Sequence, residues 1–300
     1  MKKILFMLPL VAVCFTSCEK NNGNNGELSG DDVIEFKDAN FLKALLTVQE
    51  IGIYDADIDD YVDYLVDVDV NKDGAITVNE AQAVICLALY DYDRDASFYI
   101  SEMPEIKYFT RLEYLDCSYN RLTSLDISNN IALEELRCDD NELTSLDVSS
   151  NTAMIELSCG YNQLTSLDLS KNTALERLYC YGNQLKSLDV SSNMALESLY
   201  CSSNQLTSLD VSNNTALGGL DCSGNQLTSL DVSNNTALGE LGCSDNQLTY
   251  LDVHYNQGLR WLYCSKNPLQ KLILYTYHNI ADNSVYDIES EYGDIIEYME

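Results

Sequence analysis

Eight cysteines, Cys117, Cys138, Cys159, Cys180, Cys201, Cys222, Cys243 and Cys264, follow one another at intervals of 21 residues. The text around them repeats as well. Residues 217–237 read LGGLDCSGNQLTSLDVSNNTA, and the next copy begins LGELGCSDNQLTYLDV. A fixed period of this length defines a solenoid, in which each unit touches only its neighbours. Every copy divides into two related halves, L-x-x-L-x-C-x-x-N-x and L-x-x-L-D-V-S-x-N-x-x. In the first copy these are Leu112, Leu115, Cys117 and Asn120, then Leu122, Leu125, Ile127 and Asn130. The alternating apolar positions of L-x-C and L-D-V predict short strands, and the asparagine-rich stretches between them predict turns. One coil is therefore two extended segments joined by two corners, and stacked coils make two parallel sheets around a narrow apolar core. A coil buries about six side chains, worth roughly 1.5 to 3 kcal/mol each, while ordering its residues costs on the order of 1 to 2 kcal/mol apiece. No coil folds alone, so stability comes from stacking and the two ends need caps.

The pattern resembles the leucine-rich repeat, L-x-x-L-x-L-x-x-N-x-L, in its 21-residue IRREKO-type variant, over eight copies from Leu112 to Asn279. The resemblance implies a mainly β repeat solenoid. The last copy departs from it: Pro268 replaces a glutamine, and Ile273 stands where seven copies have aspartate, so this coil is expected to merge into a cap.

Three ladders run along the coils. The cysteines take the inward strand position that leucine holds in the resembled family, which makes each thiol a small buried hydrophobe. Coils about 4.8 Å apart are too widely spaced for the Cβ separation of about 3.8 Å that a disulfide prefers, so bridging is disfavoured. The asparagines at Asn120 and its equivalents suit amides that bond the backbone of their own and adjacent coils. The aspartates Asp126, Asp147, Asp168, Asp189, Asp210, Asp231 and Asp252 would repel one another. Either serine hydroxyls and turn amides satisfy them, or cations sit along the row.

The flanks differ in kind. Lys2 and Lys3 precede an apolar run, Ile4 to Val13, too short to span a bilayer and suited to a signal peptide at 1–17. The run ends in Phe15, Thr16, Ser17 and Cys18, which resembles the lipobox of bacterial lipoproteins and implies lipidation at Cys18. Residues 18–30, polar and rich in Asn and Gly, read as a tether. Segment 31–107 carries 19 acidic and 5 basic residues. Helical periodicity is expected around Phe41 to Leu46, again from Ile58 to Leu65, and over Glu80 to Leu89.

Between the last two lies DVNKDGAITVNE, which matches the EF-hand calcium loop. Asp69, Asn71 and Asp73 supply oxygens at positions 1, 3 and 5, Ala75 its carbonyl, Thr77 a water-mediated contact and Glu80 a bidentate carboxylate, with Gly74 at the sharp turn. A second, weaker loop runs from Asp91 to Glu102 with Ala96 in place of the glycine. The repeats then occupy 108–279, and 280–300 is read with Leu272 to Tyr277 as a β-α-β cap. The whole arrangement resembles bacterial leucine-rich-repeat surface lipoproteins, which implies a small helical EF-hand-like N-terminal cap and attachment to the outer membrane at the cell surface.

Function classes narrow sharply. A formal net charge of -31 repels phosphate backbones and anionic lipid surfaces, which excludes nucleic acid and leaves the membrane reachable only through the lipid anchor. The natural counterparts are Ca2+ and basic partners. Two histidines, His254 and His278, supply no catalytic constellation, so no enzyme is expected. Comparing the copies with one another locates the variable positions. The residue before each cysteine and the residue two before that vary freely, and strand alternation puts both on one outer face. Arg177, Tyr179, Tyr181 and Tyr200 form a central patch there, and Arg260, Trp261 and Tyr263 a second. Such a Tyr, Trp and Arg ribbon suits a protein ligand. A glycan stacking on the tyrosines and Trp261 is the alternative.

Overall fold

A computed structural model describes residues 28–47, 49–55, 60–89, 99–276 and 292–299. Cys18, the signal and tether segments, most of the Asp91 to Glu102 loop and most of the Asp282 to Tyr292 helix expected in the C-terminal cap lie outside these residues.

The repeats form a stack of coils joined in a nine-stranded parallel sheet. Its strands are β3 (Cys86–Ala88), β4 (Tyr114–Asp116), β5 (Glu135–Arg137), β6 (Glu156–Ser158), β7 (Arg177–Tyr179), β8 (Ser198–Tyr200), β9 (Gly219–Asp221), β10 (Glu240–Gly242) and β12 (Trp261–Tyr263). Each has three residues, and the register advances by 21, so that Leu136 pairs with Leu157 and Leu157 with Leu178. The central leucine of each strand and the cysteine that follows it point inward and are buried, together with the leucines and valines of the second half-repeat.

The second predicted sheet is absent through most of the stack. In L-D-V-S-x-N the polar side chains hold the chain in local turns. Asp126 Oδ1 accepts from the Ser128 amide at 3.1 Å and hydroxyl at 2.7 Å, and Asp147, Asp168, Asp189, Asp210 and Asp231 each take the amide of the serine two residues on. Such local bonds compete with a strand ladder. Coil-to-coil bonding on this side passes to a second set of asparagines. Asn193 Nδ2, for example, donates to Leu169 O at 3.2 Å and Asn172 O at 2.8 Å. Where the polar pattern stops, the strand appears. β11 (Tyr250–Asp252) pairs in parallel with β13 (Lys271–Tyr275), in which Ile273 replaces the aspartate, and β13 pairs with β14 (Ile296–Met299).

The N-terminal cap is less helical than its periodicity predicts. Helix α1 (Ala39–Leu45) is present, capped by Asp38. The helix expected from Ile58 to Leu65 is instead strand β2 (Asp60–Val66), antiparallel to β1 (Gln49–Asp55). This segment is dense in Tyr, Val and Leu, residues that favour strands, and its neighbour offers a matching partner. Helix α2 (Val78–Ala83) stops early, and the β-branched run Val84-Ile85 leads into β3.

That strand makes the cap a degenerate coil. Leu89 holds the ladder position of a cysteine, and its amide donates to Asp116 O at 2.6 Å. Asn120 Nδ2 donates to Leu89 O, and Asn130 Nδ2 to Ile106 O and Phe109 O, as if to a preceding repeat. At the other end Tyr292 takes the place of the next asparagine. Its hydroxyl reaches Cys264 O at 3.2 Å and Asn267 O at 3.1 Å.

Candidate functional site

The cysteine ladder is structural. All eight thiols are free and at most 1% exposed, and burial raises the pKa values of the seven from Cys117 to Cys243. Among the described residues Cys86 is a ninth free thiol, outside the ladder, pushed up to about 11 chiefly by burial. An inert thiol of this kind is no nucleophile. The asparagine ladder also agrees with the sequence: Asn204 Nδ2 donates to Cys180 O, Cys201 O and Ser202 O, while Oδ1 accepts the Leu185 amide at 3.0 Å. The aspartates of the opposite side from Asp126 to Asp231 are exposed and held below the ordinary carboxylate range by their serine bonds.

The outward positions of β4 to β12 form the variable ribbon. On β7 and β8, Tyr179 and Tyr200 stack with ring centroids 5.4 Å apart and planes 23° from parallel. Arg177 Nε lies 2.6 Å from Glu156 Oε2, and its NH1 is 3.6 Å from Glu176. Tyr200 leans across β9, and its hydroxyl meets Glu240 Oε2 at 3.4 Å. Gly219 permits this reach, because a Cβ there would sit 3.2 Å from the hydroxyl. Burial and Glu240 push the Tyr200 phenol up to about 12. Three strand spacings of about 4.8 Å separate this cluster from β12, where Trp261 and Tyr263 are 42% and 48% exposed. Arg260 is exposed too but precedes the strand, so alternation takes it off the face that Trp261 and Tyr263 share.

The larger feature lies toward the N-terminus and was not singled out by composition. A cavity of about 380 Å³ opens over the first four coils, lined by Asp116, Asp139 and Glu156, by Arg137, and by Tyr119, Tyr179 and Tyr181. Asp139 Oδ1 accepts from Ser158 Oγ at 2.8 Å, the Gly160 amide at 2.9 Å and the Tyr181 hydroxyl at 3.3 Å. Burial raises the carboxyl pKa values of Asp116 and Asp139. Glu135, beside the cavity on β5, is pushed up to about 7, first by burial and then by Glu156. Arg137 NH2 is 2.7 Å from Glu135 Oε1, yet that oxygen has no hydrogen bond, so the pair is a charge contact that offsets burial only in part.

The EF-hand-like loop is ordered by its own side chains. Asp69, 7% exposed, accepts the amides of Asp73 at 3.2 Å and Gly74 at 2.9 Å, and Gly74 takes φ +82°. Asn71 Oδ1 accepts the Asp73 amide, and Asp73 Oδ1 that of Ala75. The Ile34 amide bonds Ile76 O at 2.8 Å, beside an isolated antiparallel bridge between Val33 and Thr77. Glu80 Oε2 accepts from the Thr77 amide and hydroxyl in a capping box for α2. The helix that would enter such a loop is replaced by β2. Among the described residues no three acidic, histidine or cysteine side chains gather as a finished metal cage. The donor set and the turn at Gly74 nonetheless fit a hard cation with oxygen ligands.

A parallel solenoid with 21-residue coils, a leucine core and buried asparagine corners is the leucine-rich-repeat fold of bacterial internalin type. The functional domain of InlJ from Listeria monocytogenes, which includes a cysteine ladder, is similar at 37% identity and a TM-score of 0.62, with 67% of this chain and 46% of that one covered. The leucine-rich-repeat protein LIC12759 of Leptospira interrogans is 22% identical at a TM-score of 0.52, over 65% of this chain and 62% of that one. The ectodomain of the Arabidopsis thaliana receptor kinase GASSHO1/SCHENGEN3 is 21% identical at 0.56, over 68% and 26%. The chain thus spans less than half of the InlJ chain it resembles. No protein-family model matches the sequence, and a search of curated proteins finds no match. Among the described residues no helix is long and apolar enough to cross a membrane.

Proposed function

We propose that the protein is a lipid-anchored component of a bacterial cell envelope that binds a protein ligand on the outward face of its nine-stranded sheet. The observation that carries this reading is the contrast within each repeat: the buried leucine, cysteine and asparagine positions hardly change from coil to coil, while the outward strand positions carry Tyr, Trp, Arg, Glu and Asp. A scaffold that varies only one face is built for recognition there. The plant ectodomain of the same fold forms a complex with Casparian strip integrity factor 2. A protein ligand is favoured over a glycan because Tyr179 and Tyr200 spend ring faces on each other.

Cys18 carries the lipid in this reading, and the loop from Asp69 to Glu80 holds a structural Ca2+ through the side chains of Asp69, Asn71, Asp73, Thr77 and Glu80 and the Ala75 carbonyl. The ion supplies charge compensation that would fix an acidic loop against the first coil. Affinity capture with the full chain and with a Tyr179→Ala/Tyr200→Ala variant, beside a glycan array, tests the binding face. A protein recovered by the first and lost by the second is expected; equal recovery, or a sugar hit without a protein, overturns it. Palmitate labelling lost on Cys18→Ala tests the anchor.

A further inference from the structure

The residue after each ladder cysteine is serine in five copies. The three exceptions, Asp139, Gly160 and Tyr181, are consecutive. The fold turns this run into one unit. Tyr181 lies across Gly160 and donates to Asp139 two coils away. Only glycine allows the crossing, because a Cβ at residue 160 would stand 2.6 Å from the Tyr181 ring and 2.9 Å from Asp139 Oδ1. One column further on, Gly182 makes the same room for Tyr161, whose ring meets Tyr181 edge-on at 5.1 Å and fixes it. These departures from the repeat serve no core, since Asp139 and Tyr181 line the cavity together with Asp116 and Glu156.

The charges in that cavity do not cancel. Glu135 and Glu156 are matched by Arg137 and Arg177. Asp116 and Asp139 are 6% and 8% exposed; Asp116 accepts the Ser118 amide and feels Arg137, which already serves Glu135 and Glu156, while among the described residues the partners of Asp139 are neutral: a serine hydroxyl, an amide and a phenol. Asp139, a buried carboxylate with only these neutral partners, and Asp116, whose cation is shared with two glutamates, stand in a cavity walled by Tyr119, Tyr179 and Tyr181 and form an acidic aromatic box. A desolvated carboxylate gains most from a charged donor, and a guanidinium or ammonium also gains from tyrosine faces.

Resting on the recognition reading above, we propose that this cavity receives one basic side chain, an arginine or lysine, of the protein partner, and that Asp139, oriented by Tyr181 and Gly160, is its anchor. Saturation-transfer NMR on the full chain tests this with Nα-acetyl-arginine methylamide as probe and the uncharged citrulline analogue as its match. A Kd on the order of 1 mM is expected for so small a ligand. The citrulline analogue should give no saturable transfer. Asp139→Asn, which keeps the acceptor Oδ1, should weaken binding at least about tenfold, the loss of one charge-assisted contact, while Asp210→Asn, on the exposed ladder, should leave it unchanged. A thermal melt like that of wild type shows that the Asn variant is folded, and Tyr181→Phe gives a second, milder loss.

Equal binding of both probes, or equal loss from both Asn variants, would mean diffuse attraction to an acidic surface and would overturn the proposal. If the arginine probe fails while capture still depends on Tyr179 and Tyr200, the cavity falls and the recognition face stands.

Discussion

Each strand-ending asparagine from Asn141 to Asn267 donates to three carbonyls and accepts a leucine amide from the coil before it, and so closes a corner that backbone alone leaves open. Asn204→Ala would strand the Leu185 amide inside the core and leave the Cys180 and Cys201 carbonyls with one donor each, from Asn183 and Asn225. A loss of about 1 to 3 kcal/mol is expected from the orphaned amide and the weakened carbonyls. Asn213→Ala, at an exposed site with one 3.4 Å bond, should cost less than about 0.5 kcal/mol; urea unfolding of the two variants decides. Glu135 makes the opposite case, a polar group whose charge burial disfavours. Its folded pKa of about 7 lies above the ordinary 4.5, so the unfolded chain loses this proton first as pH rises, and Glu135 costs stability between pH 4.5 and 7. Glu135→Gln should melt nearly as wild type does at pH 4.5 and gain on it by pH 8, by on the order of 1 to 3 kcal/mol; a constant difference across that range would refute the shift. The asparagine ladder was legible in the sequence because it repeats. The Tyr181, Gly160 and Asp139 unit was not, since its partners are 21 and 42 residues apart and only the stacking of coils brings them together.

At the level of elements, period alone did not separate helix from strand in the N-terminal cap. Ile58 to Leu65 satisfies a helical spacing, and the availability of β1 as a partner decides for β2. The second sheet failed for a related reason: L-D-V has strand alternation, but its Asp and Ser close a turn on themselves, and the strand returns where Ile273 removes the aspartate. The C-terminal cap hangs on one hydroxyl. Tyr292→Phe should orphan the Asn267 amide, remove the one proton that Cys264 O and Asn267 O share, and lower stability by about 1 to 2 kcal/mol, with amide exchange quickening first in residues 264–276. The loop proposed to hold calcium allows a clean separation of cap from metal. Glutamine serves a capping box as well as glutamate does, so Glu80→Gln keeps the α2 cap and removes the bidentate carboxylate. Calcium at about 100 times its Kd should stabilise wild type by about 2.7 kcal/mol over chelator-treated protein, and the variant far less. Identical melts of wild type with calcium and with chelator would remove the ion from this loop.

Across the whole molecule the eight thiols serve as one stability reporter per coil. They are buried and unreactive when their own coil is closed, and they lie in a row from the first repeat to the last. In a solenoid each repeat rests on its two neighbours, so a defect in the middle need not spread evenly to the ends. Leu199 sits at the centre of β8, fully buried, and Leu199→Ala should cost about 2 to 5 kcal/mol locally. Pulse alkylation across a urea series, read peptide by peptide, should then show Cys180, Cys201 and Cys222 exposed at lower urea than Cys117 and Cys264, which are held by the caps through Leu89, Asn130 and Tyr292. Equal shifts for all eight would mean that the stack unfolds as a single cooperative body, with coil interfaces stronger than the coils themselves. The recognition face would then be rigid from Tyr119 to Tyr263, and a partner binding the N-terminal cavity and the Trp261 edge together would gain from both contacts without ordering anything between them.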